Sequence, residues 1–119
     1  MSIDPVALLK RYHAALNTYD AVVVAPMFAA GAVYVSPGVS GRIEGRDAII
    51  AAFSAYFAEH PDQHAEDEEV SLLSATEARA VWRLTATSAS KGEPVSRRGL
   101  ETIRFDEAGQ ILAVEVVDQ

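Results

Sequence analysis

The sequence predicts an α+β domain in which helices come first and a largely antiparallel sheet follows. Two observations carry this. Apolar residues in the first half recur at three- and four-residue spacing, and in the second half they alternate at every other position. A chain that runs helices and then a strand meander packs its helices on one face of the sheet. Length adds a third constraint: 119 residues, 50% hydrophobic and 23% charged, suit a single core, so one domain over residues 1–119 is expected.

Helix one is expected from Pro5 to Thr18. Val6, Leu8, Leu9, Tyr12, Ala15, Leu16 and Tyr19 form its stripe, with Asp4 as N-cap and proline at the first helical position. Asp20 can cap a second helix through Phe28, weakened by three successive valines and by Pro26. A short extended segment, Ala32 to Val35, follows Gly31 and runs into a turn at Ser36, Pro37 and Gly38. Gly45 to His60 is the clearest helix, with Ile49, Ile50, Phe53, Tyr56 and Phe57 on one stripe and Pro61 just beyond. Four strands follow, at Glu69 to Ala75, Ala78 to Ala89, Val95 to Phe105 and Gln110 to Val117.

Composition excludes several functions. There is no cysteine, hence no disulfide, thiolate metal ligand or cysteine nucleophile; this suits a reducing cytosol, and a cytoplasmic protein is expected. The net charge of -7 disfavours nucleic acid and anionic membrane surfaces. No apolar run approaches the about 18 residues of a membrane span, and Asp4, Lys10 and Arg11 interrupt any signal peptide, so the N-terminus reads as part of the fold. Glu66, Asp67, Glu68 and Glu69 read as a solvated approach to a strand. His60 and His64 are four apart, but Pro61 breaks any helix that would align them, so no metal site is expected, and no cofactor. His13 reads as a solvent-facing or capping residue at the edge of helix one.

Strand phase singles out one residue. Ala80, Trp82, Leu84 and Ala86 alternate with Arg79, Arg83, Thr85 and Thr87, so the tryptophan face is the dry one. In the next strand Gly99, Glu101, Ile103 and Phe105 share a face, which puts Glu101 among apolar neighbours. A carboxyl group there either finds a partner or becomes neutral, because burying the bare ion is costly.

The run RYHAALNTYDAVVVAPMFAAGAVYVSPG, with LETIRFDEAGQILAVEVV, resembles the ketosteroid isomerase branch of the NTF2-like, or SnoaL-like, superfamily. The resemblance implies a cone-shaped (cystatin-like) barrel: three N-terminal helices packed in a curved, mostly antiparallel sheet around a pocket, and a homodimer formed through the sheet, compatible with Val81, Arg83, Thr85 and Leu100 on its outer face. In that family a tyrosine and a protonated acid donate hydrogen bonds to a dienolate oxygen while an aspartate moves the proton, a case the general chemistry of tuned carboxyl groups describes. Carried over, the donors match Tyr12 and Glu101, and the base position holds Ser36, which has no basic form near neutral pH. Asp118, on the inner face by phase with Val114 and Val116, is the substitute base, with His13 or water as alternatives. The epoxide-hydrolase branch needs an arginine two residues before its strand carboxylate, where this chain has Gly99. No base or oxyanion hole at recognisable spacing makes Ser36 a nucleophile.

The sequence therefore supports two readings. In the first, an isomerase-like enzyme, Tyr12 and Glu101 polarise an apolar carbonyl compound in a cavity lined by Leu9, Leu16, Phe28, Ser36, Phe53, Phe57, Trp82, Leu84, Ile103 and Val114. In the second, the same pocket is a non-catalytic binding site for a small hydrophobic ligand, the base having been lost at Ser36.

Overall fold

The structure is a computed structural model and describes residues 3–37 and 41–118. Three α-helices, α1 (Pro5–Leu16), α2 (Ala21–Val24) and α3 (Arg46–Glu59), pack on one curved sheet of six strands. These are β1 (Phe28–Ser36), β2 (Gly41–Glu44), β3 (His64–Ser74), β4 (Glu77–Thr87), β5 (Pro94–Phe105) and β6 (Ile111–Asp118), in the spatial order β2-β1-β6-β5-β4-β3. All neighbours are antiparallel except β1 and β6, which run parallel. The sheet stays open, with β2 and β3 at its edges, rather than closing into the barrel the resemblance implied.

Local chemistry explains the elements. Asp4 accepts a hydrogen bond from the Ala7 amide (3.1 Å) and Asp20 one from Val22 (2.9 Å), each satisfying an orphan donor at a helix start. The second helix is one turn long: Pro26 lacks an amide proton, and the chain tightens into a 3-10 turn at Ala25–Met27. Phe28 therefore opens a strand instead of closing a helix, and β1 is nine residues long where four were expected. The expected turn reaches Pro37; Gly38 lies outside the described residues. At the start of α3, Gly45 sits at φ 92°, in the left-handed region where a side chain is disfavoured.

Strand β3 begins at His64, five residues before the predicted start, so the acidic run is part of the strand. A bulge decides which acid turns inward. Asp67 pairs with Trp82 and Glu69 with Val81, leaving Glu68 as the extra residue. Ala65 and Asp67 thus share the phase of Leu84 and Trp82, facing the helices, and after the bulge Val70 takes over that phase opposite Ala80. Glu68 pairs outward with Arg98 (3.0 Å).

The core lies between the helices and the concave face. Leu9, Tyr12, Ile49, Phe53 and Phe57 meet Phe28, Ala80, Trp82, Ile103, Phe105 and Val114. Phe53 stacks on Phe57 and meets Tyr34 edge-on. The cross-strand pair Trp82–Gly99 is tight: a Cβ at Gly99 would overlap the indole ring. Gly99→Ala is therefore expected to destabilise by about 1–3 kcal/mol, read from urea unfolding, and to displace Trp82, read from its fluorescence.

Candidate active site

A cavity of about 70 Å³ opens among α1, α3 and the inner face of β1, β3, β4 and β5. Leu16, Phe53, Phe57, Trp82 and Leu84 form its apolar walls, and His13, Tyr34, Ser36, Tyr56, Gln63, Arg97 and Glu101 bring polar groups to it. Of the residues predicted to contact a ligand, Leu16, Ser36, Phe53, Phe57, Trp82 and Leu84 line this space. Phe28, Ile103 and Val114 do not; with Leu9 they are sealed in the core, at most 1% exposed.

The centre of the site is His13. It follows Leu9 by four residues and precedes Leu16 by three, so it belongs to the inward stripe of α1, and it is buried rather than solvent-facing. Its Nδ1 bonds Asp67 Oδ1 (2.6 Å) and its Nε2 bonds Glu101 Oε1. Burial alone would lower the His13 pKa, but the Glu101 charge and the hydrogen bonds to both carboxylates carry it from 6.5 up to about 10. At neutral pH the ring is an imidazolium donating through both nitrogens, and the Asp67–His13–Glu101 triad carries one net negative charge.

The ends of α1 and β3 are fastened so that this register holds. Asn17 accepts from the Ala65 amide (3.0 Å) and donates to the Ala65 carbonyl (2.9 Å). Gln63 donates to the Leu16 carbonyl (3.1 Å) and to Asn17 (3.3 Å). Both contacts lie within one turn of His13.

Glu101 is 3% exposed, on the apolar face that strand phase assigned it. It is the acceptor of the His13 bond. Tyr12 is 1% exposed and does not border the cavity; its hydroxyl lies against that of Tyr34 and near Glu101. Burial, then Tyr34 and Glu101, raises the Tyr12 pKa, and burial with Glu101 raises that of Tyr34, so both remain phenols.

Asp118 does not border the cavity either. Its side chain is 54% exposed and accepts from Arg97 (2.9 Å) at the outer end of β5. Ser36 ends β1, opposite Gly41, and is 3% exposed.

Sequence reasoning did not single out Asp67, Tyr34, Gln63 or Arg97. Arg97 had a usable signal, the same strand phase as Glu101; Asp67 had none, because the bulge that turns it inward has no sequence mark. Among the described residues no cluster of His, Asp and Glu could hold a metal ion, and no helix is long and apolar enough to cross a membrane.

The SnoaL-like domain family model matches residues 9–114. Among solved structures, the fold is shared with SalBIII, the epoxide hydrolase/cyclase-like enzyme of pyran ring formation in the polyether salinomycin (16% identity, 95% of this chain and 88% of that one covered, TM-score 0.84). It is also shared with an NTF2-like protein of unknown function from Exiguobacterium sp. 255-15 (18% identity, 94% and 98% covered, TM-score 0.81). A third is a Mycobacterium tuberculosis protein in complex with estradiol-17beta-hemisuccinate (20% identity, 98% and 93% covered, TM-score 0.82). No curated protein matches the chain significantly. At these identities the likeness shows the fold, which is NTF2-like.

Proposed function

The chain belongs to the SnoaL-like domain family, and we propose that its cavity holds a small apolar carbonyl compound and moves a proton on it, with Glu101 as the acid-base group. One observation carries this reading: a carboxylate 3% exposed faces an apolar cavity and is held from behind by a histidine paired to a second carboxylate.

The chemistry follows from the charges. The triad has one net negative charge, so it can accept one proton and become neutral while His13 stays paired with Asp67. With a β,γ-unsaturated ketone, Glu101 takes the α-proton, the C–H electron pair spreads into a dienolate, and the same proton returns at the γ-carbon. Tyr34, a phenol on the cavity wall, donates to the oxygen where charge develops. In this scheme Glu101 takes the role of base that the resemblance gave to the position of Ser36, and Tyr34 rather than Tyr12 is the donor at the ligand. Asp118 stays outside, neutralised by Arg97. A cavity of about 70 Å³ is far smaller than the about 300–1,000 Å³ of sites for drug-sized ligands, which favours a single-ring ketone over a steroid.

The test is conversion of cyclohex-3-enone to cyclohex-2-enone, followed by the absorbance of the conjugated product. Acceleration over buffer is expected, with Tyr34→Phe lowering it about a hundredfold. A wild-type rate equal to that of buffer contradicts the proposal.

A second reading, a non-catalytic binding protein for a small hydrophobic ligand, is favoured by Ser36, a residue without a basic form on the cavity wall. It predicts binding of a single-ring dienolate mimic such as phenol with no turnover. The remaining readings stand as part of the same proposal: a cytoplasmic protein, dimeric through the outer face of the sheet, where Val81 and Leu100 are half-buried in the single chain.

A further inference from the structure

Arg97 is a cation with more hydrogen-bonding capacity than it uses. It projects from β5 on the same face as Glu101, borders the cavity, and its side chain is 21% exposed. Its guanidinium lies over the Trp82 ring, 5.6 Å from the centroid, a contact that fixes its plane. Of its five N–H donors, one bonds Asp118 (2.9 Å) and another is directed at the Tyr56 hydroxyl oxygen, which leaves donors over. The Tyr56 hydroxyl, buried beside it, faces the guanidinium with its oxygen, and its own proton has no acceptor among the described residues. Two sets of unused donors therefore converge at one end of the cavity.

We propose that Arg97 and Tyr56 form an anion subsite at the cavity opening, which selects ligands carrying a carboxylate at the end remote from the reacting carbon. This rests on reading the cavity as a substrate site, and it names the substrate class: a small apolar keto acid, the carbonyl compound of the proposed reaction with a carboxylate at its far end. A planar guanidinium with an adjacent phenol suits a carboxylate, which accepts two parallel bonds from the fork and one from the hydroxyl. The rest of the cavity requires the acid to enter in one direction only. Arg97 and Glu101 are four residues apart along β5, about 13 Å of extended strand, and the Glu101 end carries the net negative triad that repels a second anion. The carboxylate is held at the opening, and the apolar end of the ligand is presented to Glu101. Asp118 occupies the subsite in the free protein; its own side of the pair is 54% exposed, so its carboxylate can move into water when a ligand carboxylate takes its place.

The experiment measures binding and not turnover. Hydrocinnamate and hydrocinnamide differ in charge and hardly in shape; each is titrated against the full chain, with affinity from calorimetry and from quenching of Trp82, the single tryptophan. The acid is expected to bind at least about tenfold more tightly than the amide, Arg97→Met to abolish the preference, Arg97→Lys to keep part of it, and Asp118→Asn to tighten the acid alone. Equal affinities in the wild type, binding of neither compound, or a preference that survives in Arg97→Met would overturn the subsite. Should circular dichroism show Arg97→Met unfolded, Asp118→Asn decides, and failure to tighten the acid counts against the subsite. A carboxylate preference in a protein that isomerises no ketone refutes the proton-transfer reading and leaves the subsite standing.

Discussion

Replacing His13 by alanine is expected to cost about 3–5 kcal/mol of stability, the largest effect of any single substitution in this site, because it leaves Glu101 buried and charged with no counter-ion. Glu101 sits at 3% exposure between Ala80 on β4 and Val116 on β6, so its carboxylate recovers from water little of what the imidazolium supplied. The double variant His13→Leu/Glu101→Leu should recover much of the loss, since apolar side chains of similar volume need no compensation. Non-additivity between the two single variants, measured by a double-mutant cycle in urea, is the quantity to read.

The same group gives stability a pH dependence of known sign. The folded-state pKa of His13 is raised from 6.5 to about 10, so above pH 6.5 the folded chain binds a proton that the unfolded chain has released. Its contribution is fully present below pH 6.5 and is lost as pH rises through about 10. Unfolding midpoints should fall over that window in the wild type, and the fall should be absent from His13→Leu/Glu101→Leu.

Glu101→Gln is expected to lower turnover on cyclohex-3-enone by about 10²–10⁴, because the amide still accepts the His13 bond but has no proton-accepting form. The substitution keeps the shape of the cavity and the placement of Tyr34. A small change in KM with the loss confined to kcat would mark Glu101 as a group acting in the transition state. If Glu101 were instead the neutral donor that the family resemblance implied, glutamine would donate in its place and much of the rate would remain.

How legible this was depends on distance along the chain. The change of apolar period, the Asp4 and Asp20 caps, the inward phase of Trp82 and the burial of Glu101 follow from neighbouring residues, and each can be read locally. β2 could not: four residues, Gly41–Glu44, with one aliphatic side chain at a sheet edge give no periodic signal. The acidic run hid the first five residues of β3, because charge suggests solvent while pairing with β4 is what makes the strand. Asp67 and His13 are 54 residues apart, and their contact needs both the inward stripe of α1 and the bulge at Glu68. Reading Glu101 from phase alone found the buried carboxyl group, while its role turned on a partner that no local pattern announces.

An imidazolium at His13, shared by Asp67 and Glu101, underlies both the triad and the acid-base role of Glu101. An NMR pH titration of the His13 ring nitrogens in the folded wild type measures that directly. Both nitrogens should remain protonated through neutral pH with a midpoint at about 10, moving down in Glu101→Gln. A midpoint at the ordinary imidazole value, unmoved by Glu101→Gln, would contradict the triad and with it the proposed acid-base site.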